Sequence, residues 1–418
     1  MSASHSAQDM VRPGDAVDLY YYDHQTAKKQ CWPTTINTKF VQQFNNLTGG
    51  SSVFTIPPQQ GVQDVICTFT LGALSAATGL ALNRGWGYQL VKQVSFRYGG
   101  SSQYFLSGDQ ILQNALRAQP SRECASDLLL LGGAAALPSD LTAGTQYASI
   151  VLTLPHATPS GVGKAHPFPS DCLTQQIQVT VELNPISSMF SVSGVSPSPV
   201  PTSLSSATFQ VQQVMLNNAG DALARRVDLA ENAYAFPAEF VQQKQVIPLS
   251  STTADQSVVL TGFRSGEVKA IHCWLNRTSD TTQAGVAGVQ NPWNWVLPNK
   301  VEMTYAGDIY ARFDSQSSTL WNLINGDKYP GAQSLSLNYS AGTYTGTSQV
   351  STWVELPFAQ PFVNEDEHNV LVHGKPITNG IVNLVVQTPY AAADWVLNVS
   401  YIYNTTLLFS QGTVDYVF

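Results

Sequence analysis

The chain has 418 residues, 43% hydrophobic and 11% charged, with 20 basic and 28 acidic side chains and a net charge of −8. That length exceeds one ordinary compact core and suits two domains of under about 200 residues. The acidic balance excludes a protein that wraps nucleic acid by neutralising phosphates, which would be basic.

The opening stretch MSASHSAQDMVRPGD is polar and lacks the apolar core of a signal peptide. Residues 1–37 are therefore expected to form an N-terminal arm, and the chain to fold in a reducing, soluble compartment. From Phe40-Val41-Gln42-Gln43 onward, short segments with period-two alternation dominate. VICTF (Val65 to Phe69) and QVSFRY (Gln93 to Tyr98) read as strands. GDQILQNALRA, from Gly108, reads as a helix whose Ile111, Leu112, Ala115 and Leu116 close one end of a β-domain. The longest apolar run, LLLLGGAAAL from Leu128, is too short to span a bilayer. QIQVTVEL places Ile177, Val179, Val181 and Leu183 on one face and Gln176, Gln178, Thr180 and Glu182 on the other. The Ser/Pro-rich stretch from Asn184 to Ser206 is expected on the surface. Residues 219–237 place Ala, Leu and Arg at helical spacing and end in Pro237, which suggests a linker with a short helix.

The rest of the chain repeats this order. Phe240-Val241-Gln242-Gln243 matches the first tetrapeptide, and IHCWL around Cys273 matches VICTF around Cys67. WNWVLPNKVEMTYAG from Trp293 matches WGYQLVKQVSFRYGG from Trp86, so that Val301 aligns with Val94. STLWNLING is the second copy's helix candidate. STWVELP (Ser351 to Pro357) matches SIVLTLP (Ser149 to Pro155), and Val382, Leu384 and Val386 align with Ile177, Val179 and Val181. WVLNVSYIY from Trp395 is a last alternating strand. A series of matched blocks in one order marks a duplication. It places one β-domain at 38–218 and a second at 238–410, roughly eight strands each, with a C-terminal tail at 411–418.

VELPF followed by HGKPITNGIVNLVV in the second copy, and its echo LP…QIQVTVEL in the first, carry a resemblance. Together with the tandem architecture they resemble the double jelly-roll major capsid proteins. That lineage takes in adenovirus hexon, large eukaryotic DNA viruses, virophages, Polinton-like viruses and some tailless phages. The fold implied is all-β, two tandem eight-stranded jelly-roll β-sandwiches with short helices in loops. The function implied is structural and not enzymatic. Homotrimers would form pseudo-hexagonal capsomers of an icosahedral shell, reached in the virion after synthesis in the host cytoplasm. The implied partners are neighbouring capsomers, minor capsid and penton proteins and an internal membrane, with no direct nucleic-acid binding. The alternative is a carbohydrate-binding or host-attachment β-sandwich protein, fibre-like or lectin-like. Its exposed aromatics would come from Trp274, Trp293, Trp295, Trp321 and Trp353, several of which align with apolar positions of the first copy.

Little in the sequence carries chemistry, and no catalytic residue, cofactor or metal is assigned. SGVGKA (Ser160 to Ala165) lacks the first glycine and the Ser/Thr of a phosphate loop. The acids and histidine of NEDEH (Asn364 to His368), with His373, read as solvated loop residues. Cys31, Cys67, Cys124, Cys172 and Cys273 form no C-x-x-C pair, and Cys67 and Cys273 read as buried packing residues. Asn46, Asn276 and Asn338 are the candidate glycosylation sites. The sequons at Asn398 and Asn404 fall in or beside a strand.

Overall fold

The computed structural model describes residues 34–36, 40–82, 85–98, 104–117, 122–152, 154, 168–192, 197–216, 226–227, 234–264, 266–278, 298–314, 353–358, 362–363, 370–371, 375–377 and 381–417. Trp293, Pro155, SGVGKA, STLWNLING and NEDEH lie outside them.

The alternating segments form strands. In the first half these are β1 (Thr34–Ile36), β2 (Phe40–Gln43), β3 (Gly50–Ile56), β4 (Gly61–Leu71), β5 (Leu80–Leu82) and β6 (Val91–Arg97). They continue as β7 (Tyr104–Ser107), β8 (Gln146–Leu152), β9 (Ile177–Leu183), β10 (Phe190–Val192) and β11 (Ser206–Leu216). The second half opens with β12 (Tyr234–Val241), β13 (Gln245–Pro248), β14 (Gln256–Leu260), β15 (Glu267–Arg277), β16 (Lys300–Tyr305) and β17 (Asp308–Asp314). It ends with β18 (Val354–Pro357), β19 (Phe362–Val363), β20 (Val370–Leu371), β21 (Lys375–Pro376), β22 (Val382–Gln387), β23 (Trp395–Ser410) and β24 (Thr413–Val417).

Each half is a sandwich of two antiparallel sheets. In the first, β2 and β1 flank β11, which continues through β4 to β8, and the other sheet runs β3-β9-β6-β7. In the second, the orders are β12-β23-β15-β18 and β14-β22-β16-β17. Among the described residues no sheet takes strands from both halves. With each half's principal strands numbered one to eight along the chain, both halves pair first with eighth, second with seventh, third with sixth and fourth with fifth. This nesting of a long folded hairpin is the jelly roll, present twice.

The duplication holds at the level of register. Val94 pairs with Val181 and Phe96 with Val179, and Val301 pairs with Val386 and Met303 with Leu384, as the alignment requires. One block differs. Cys67 stands opposite Ile150, but Cys273 stands opposite Val354 and not the aligned Thr352. A two-residue shift keeps every side chain on its own face, so the pattern survives it. The core lies between the sheets, with Phe54 of β3 stacked on Phe209 of β11 at 4.2 Å, and Val179 and Val181 are fully buried.

Among the described residues, four α-helices stand between strands: α1 (Trp86–Leu90), α2 (Gly108–Arg117), α3 (Arg122–Leu131) and α4 (Pro138–Ala143). Helix α2 is the one expected, and its Ile111, Leu112, Ala115 and Leu116 are buried. Helix α1 directly precedes β6 within the aligned block WGYQLVKQVSFRYGG, and Trp86 is fully buried there. Gly133 (φ +120°) lets the backbone pass over it, since a Cβ there would lie 2.4 Å from the indole ring.

Three boundaries differ from the sequence reading. β12 begins at Tyr234, inside the linker that the sequence suggests at 219–237, and β24 occupies the C-terminal stretch that it suggests as a tail. Both extend along β23, which at 16 residues is long enough to pair with each. β1 likewise falls within the arm of residues 1–37 and pairs with β11. The stretch from Asn184 is not wholly a surface loop. Ile186, Met189 and Phe190 are buried, and β10 pairs with β5.

Candidate functional site

Among the described residues, a network of polar and aromatic side chains lies where the two halves meet. Its centre is the second copy of the repeated tetrapeptide. The Tyr104 ring of β7 lies 5.0 Å from the Phe240 ring, and its hydroxyl accepts a hydrogen bond from the Val241 N–H at 3.1 Å. Helix α2 then directs Gln110 across the seam. Its Nε2 donates to the Gln242 carbonyl and to Ser400 Oγ, both at 2.7 Å, and Ser400 Oγ donates to the same carbonyl at 2.9 Å. Beside it, Lys244 Nζ meets Asp109 Oδ2 at 2.5 Å. Gln110 and Ser400 are buried, so these bonds satisfy groups that water does not reach.

Tyr416 of β24 packs edge-on to Phe240 at 5.3 Å, and burial raises its phenol well above the ordinary tyrosine range. Arg264 lies 4.6 Å from the Phe240 ring centroid. A second patch of the seam is the turn between β23 and β24. The Gly412 carbonyl accepts from the Thr174 N–H at 2.9 Å and from Thr174 Oγ1 at 3.2 Å. Gly412 has φ +77°, and a Cβ there would come within 2.7 Å of Thr174 Cγ2.

At its centre, where β15 pairs with β23, the β12-β23-β15-β18 sheet of the second half is buried on both faces. Its inner face is apolar. Its outer face carries His272, Trp274, Asn398 and Ser400, all nearly inaccessible. His272 Nε2 contacts Glu355 Oε2 at 3.0 Å, and Lys269 forms a buried ion pair with Glu239. Burial of such groups is sustainable only because they are paired. The seam residues Tyr104, Gln110, Lys244 and Ser400 were not identified from sequence. The available signal was the tetrapeptide itself, kept in both copies.

The glycosylation candidates separate. Asn46 is half-buried in a turn, its Oδ1 accepting from the Thr48 N–H at 3.1 Å and from Thr48 Oγ1 at 2.9 Å. Asn276 is 6% exposed and accepts from Asn398 Nδ2 at 3.2 Å. Its place on β15 facing the sheet's covered side is the cause. Asn338 lies outside the described residues.

No group of three or more His, Cys, Asp and Glu suited to a metal occurs among the described residues, while His373 and NEDEH lie outside them. Cys67 and Cys273 are buried, and burial pushes both thiols far up from the ordinary range. Trp274 and Trp353 are core residues, with Trp293, Trp295 and Trp321 outside the described residues. No helix among the described residues is long and apolar enough to cross a membrane.

No protein-family model matches the sequence, and no curated protein does. Solved structures do match. VP54 of PBCV-1, fitted into a reconstruction of the virophage Sputnik, is similar at a TM-score of 0.61 and 11% identity, over 91% of this chain and 97% of that one. A quasi-atomic PBCV-1 virus capsid gives a TM-score of 0.62 at 12% identity, over 92% and 97%. The Faustovirus major capsid protein gives 0.59 at 9% identity, over 97% and 99%. Two nested sandwiches joined at one seam, matched along almost the whole of each of these chains, give this protein the double jelly-roll fold of viral major capsid proteins.

Proposed function

We propose that the protein is a viral major capsid protein, structural and not catalytic, whose chains assemble as trimers into the pseudo-hexagonal capsomers of an icosahedral shell. The observation that carries this reading is the duplicated jelly-roll topology, joined by a seam whose groups are buried and paired. A chain built this way supplies two similar units in a fixed relation. Three chains about an axis supply six, which suits a hexagonal lattice site. The low charged fraction of 11% supports assembly, because few ions need be stranded when faces are buried. Its partners in that role are neighbouring capsomers and the minor capsid and penton proteins between them. Negative-stain images of the purified protein test the reading. Particles with a six-lobed outline are expected, and uniformly two-lobed particles would refute it.

A further inference from the structure

We infer that the outer face of the β3-β9-β6-β7 sheet carries a binding site for an acidic sugar, in a cleft of about 320 Å³ lined by Thr55, Arg97, Gln175, Gln176 and Gln178. This goes beyond the capsid reading and does not depend on it.

Strand pairing builds the cleft. Thr55 of β3 and Arg97 of β6 both stand opposite Gln178 of β9, so the three form one row across the sheet. Gln176 lies two residues before Gln178 and shares its face, and Gln175 extends the rim. The alternate residues Ile56, Phe96, Ile177 and Val179 point into the core and are buried. Among the described residues, none of the five lining side chains has a hydrogen-bond or ion-pair partner. Lys92, a second cation of this sheet, is already paired with Glu182 at 2.7 Å.

The second half supplies an internal comparison. The same row there is Val259, Asn383 and Thr304, and Ile381 stands in the place of Gln176. Val259 and Ile381 are 56% and 63% exposed. The jelly roll therefore forms without a cation or a run of carboxamides at this row, and packing does not account for them in the first half. The donor set selects the ligand. A guanidinium presents a fork of N–H groups that fits a carboxylate. Each carboxamide offers both a donor and an acceptor, and three of them facing a bare carboxylate or phosphate would leave their acceptors unused. Hydroxyls donate as well as accept. A ring that bears one carboxylate and several hydroxyls, a uronic or sialic acid, engages the whole set. The volume is at the small end for ligand sites, which suits one sugar ring.

The test is saturation-transfer NMR on the full-length protein with three probes. Glucuronate carries the acid and the hydroxyls, glucose the hydroxyls alone, and acetate the acid alone. Wild type is expected to transfer saturation to glucuronate and far less to the other two. Arg97→Thr and Gln176→Ile install the residues that the second half tolerates at these places, and circular dichroism establishes that both fold. Arg97→Thr should weaken glucuronate binding by about tenfold or more, the loss of a charge-assisted pair. Gln176→Ile should weaken it less, and Lys92→Ala on the same face should leave it unchanged. Equal transfer to acetate and glucuronate would reduce the cleft to a surface cation and overturn the inference. Undiminished transfer in Arg97→Thr, or none to glucuronate in wild type, would overturn it as well. Each of these results leaves the capsomer reading standing, because that reading is tested by mass.

Discussion

Val94 of β6 pairs with Val181 of β9, and Val301 pairs with Val386 at the same place in the second half. All four are fully buried. Two core pairs in one register, roughly two hundred residues apart, tie the repeat in the sequence to a repeat in packing. The consequence is a matched pair of mutants. Val181→Asp and Val386→Asp should each place an unpaired charge in a sandwich core and cost several kcal/mol. Both should leave the chain in the insoluble fraction. Soluble, cooperatively melting Val386→Asp would show that the second sandwich does not pack as the first does.

The seam can be loosened without touching either core. Gln110→Ala leaves Ser400 with its bond to the Gln242 carbonyl but removes two donated bonds, at a cost of about 1–3 kcal/mol. Gly412→Ala adds strain at positive φ and a close approach to Thr174, costing more than about 1 kcal/mol. Limited proteolysis should then release the two halves sooner than in wild type, with the cut between residues 216 and 234. Unchanged proteolysis in both variants would mean that the seam is held elsewhere.

The Lys269–Glu239 pair is buried on both sides. Glu239→Gln leaves the lysine without its counter-charge and should destabilise by about 3–5 kcal/mol. Replacing both residues with methionine should recover much of the loss, since a buried pair is often no better than an apolar one. Urea melts of the single and double variants decide it, and equal stability of Glu239→Gln and wild type would contradict the pairing.

Burial pushes the thiols of Cys67 and Cys273 upward, so at pH 8 both stay protonated and out of reach. Cys172, half-buried beside Asp171, is the accessible contrast among the described cysteines. Peptide mapping after brief alkylation of native protein should find Cys172 modified and the other two unmodified. Modification of Cys67 before Cys172 would contradict the packing of β4.

Much of this architecture was legible in the sequence because a half-buried strand writes its faces as alternation. Ile177 to Leu183 and Lys300 to Tyr305 give strands at those residues, and the helical stripe of Ile111, Leu112, Ala115 and Leu116 gives α2. What the sequence hid depends on surfaces meeting. Gln110 and Ser400 look like ordinary polar residues until the fold sets them 2.7 Å apart. Asn276 reads as a sequon because Asn-x-Thr records nothing about which side of a sheet is covered. Thr413–Val417 reads as a tail in the sequence because its partner is the far end of β23, and pairing beyond a domain's expected limit leaves no local mark.

Assembly through buried, largely uncharged faces would make the mass of the protein in solution independent of salt. Light scattering at low and at high ionic strength should give one species at three times 45.2 kDa under both conditions, since screened ion pairs would carry little of the contact. One species at the single-chain mass under both conditions would contradict it.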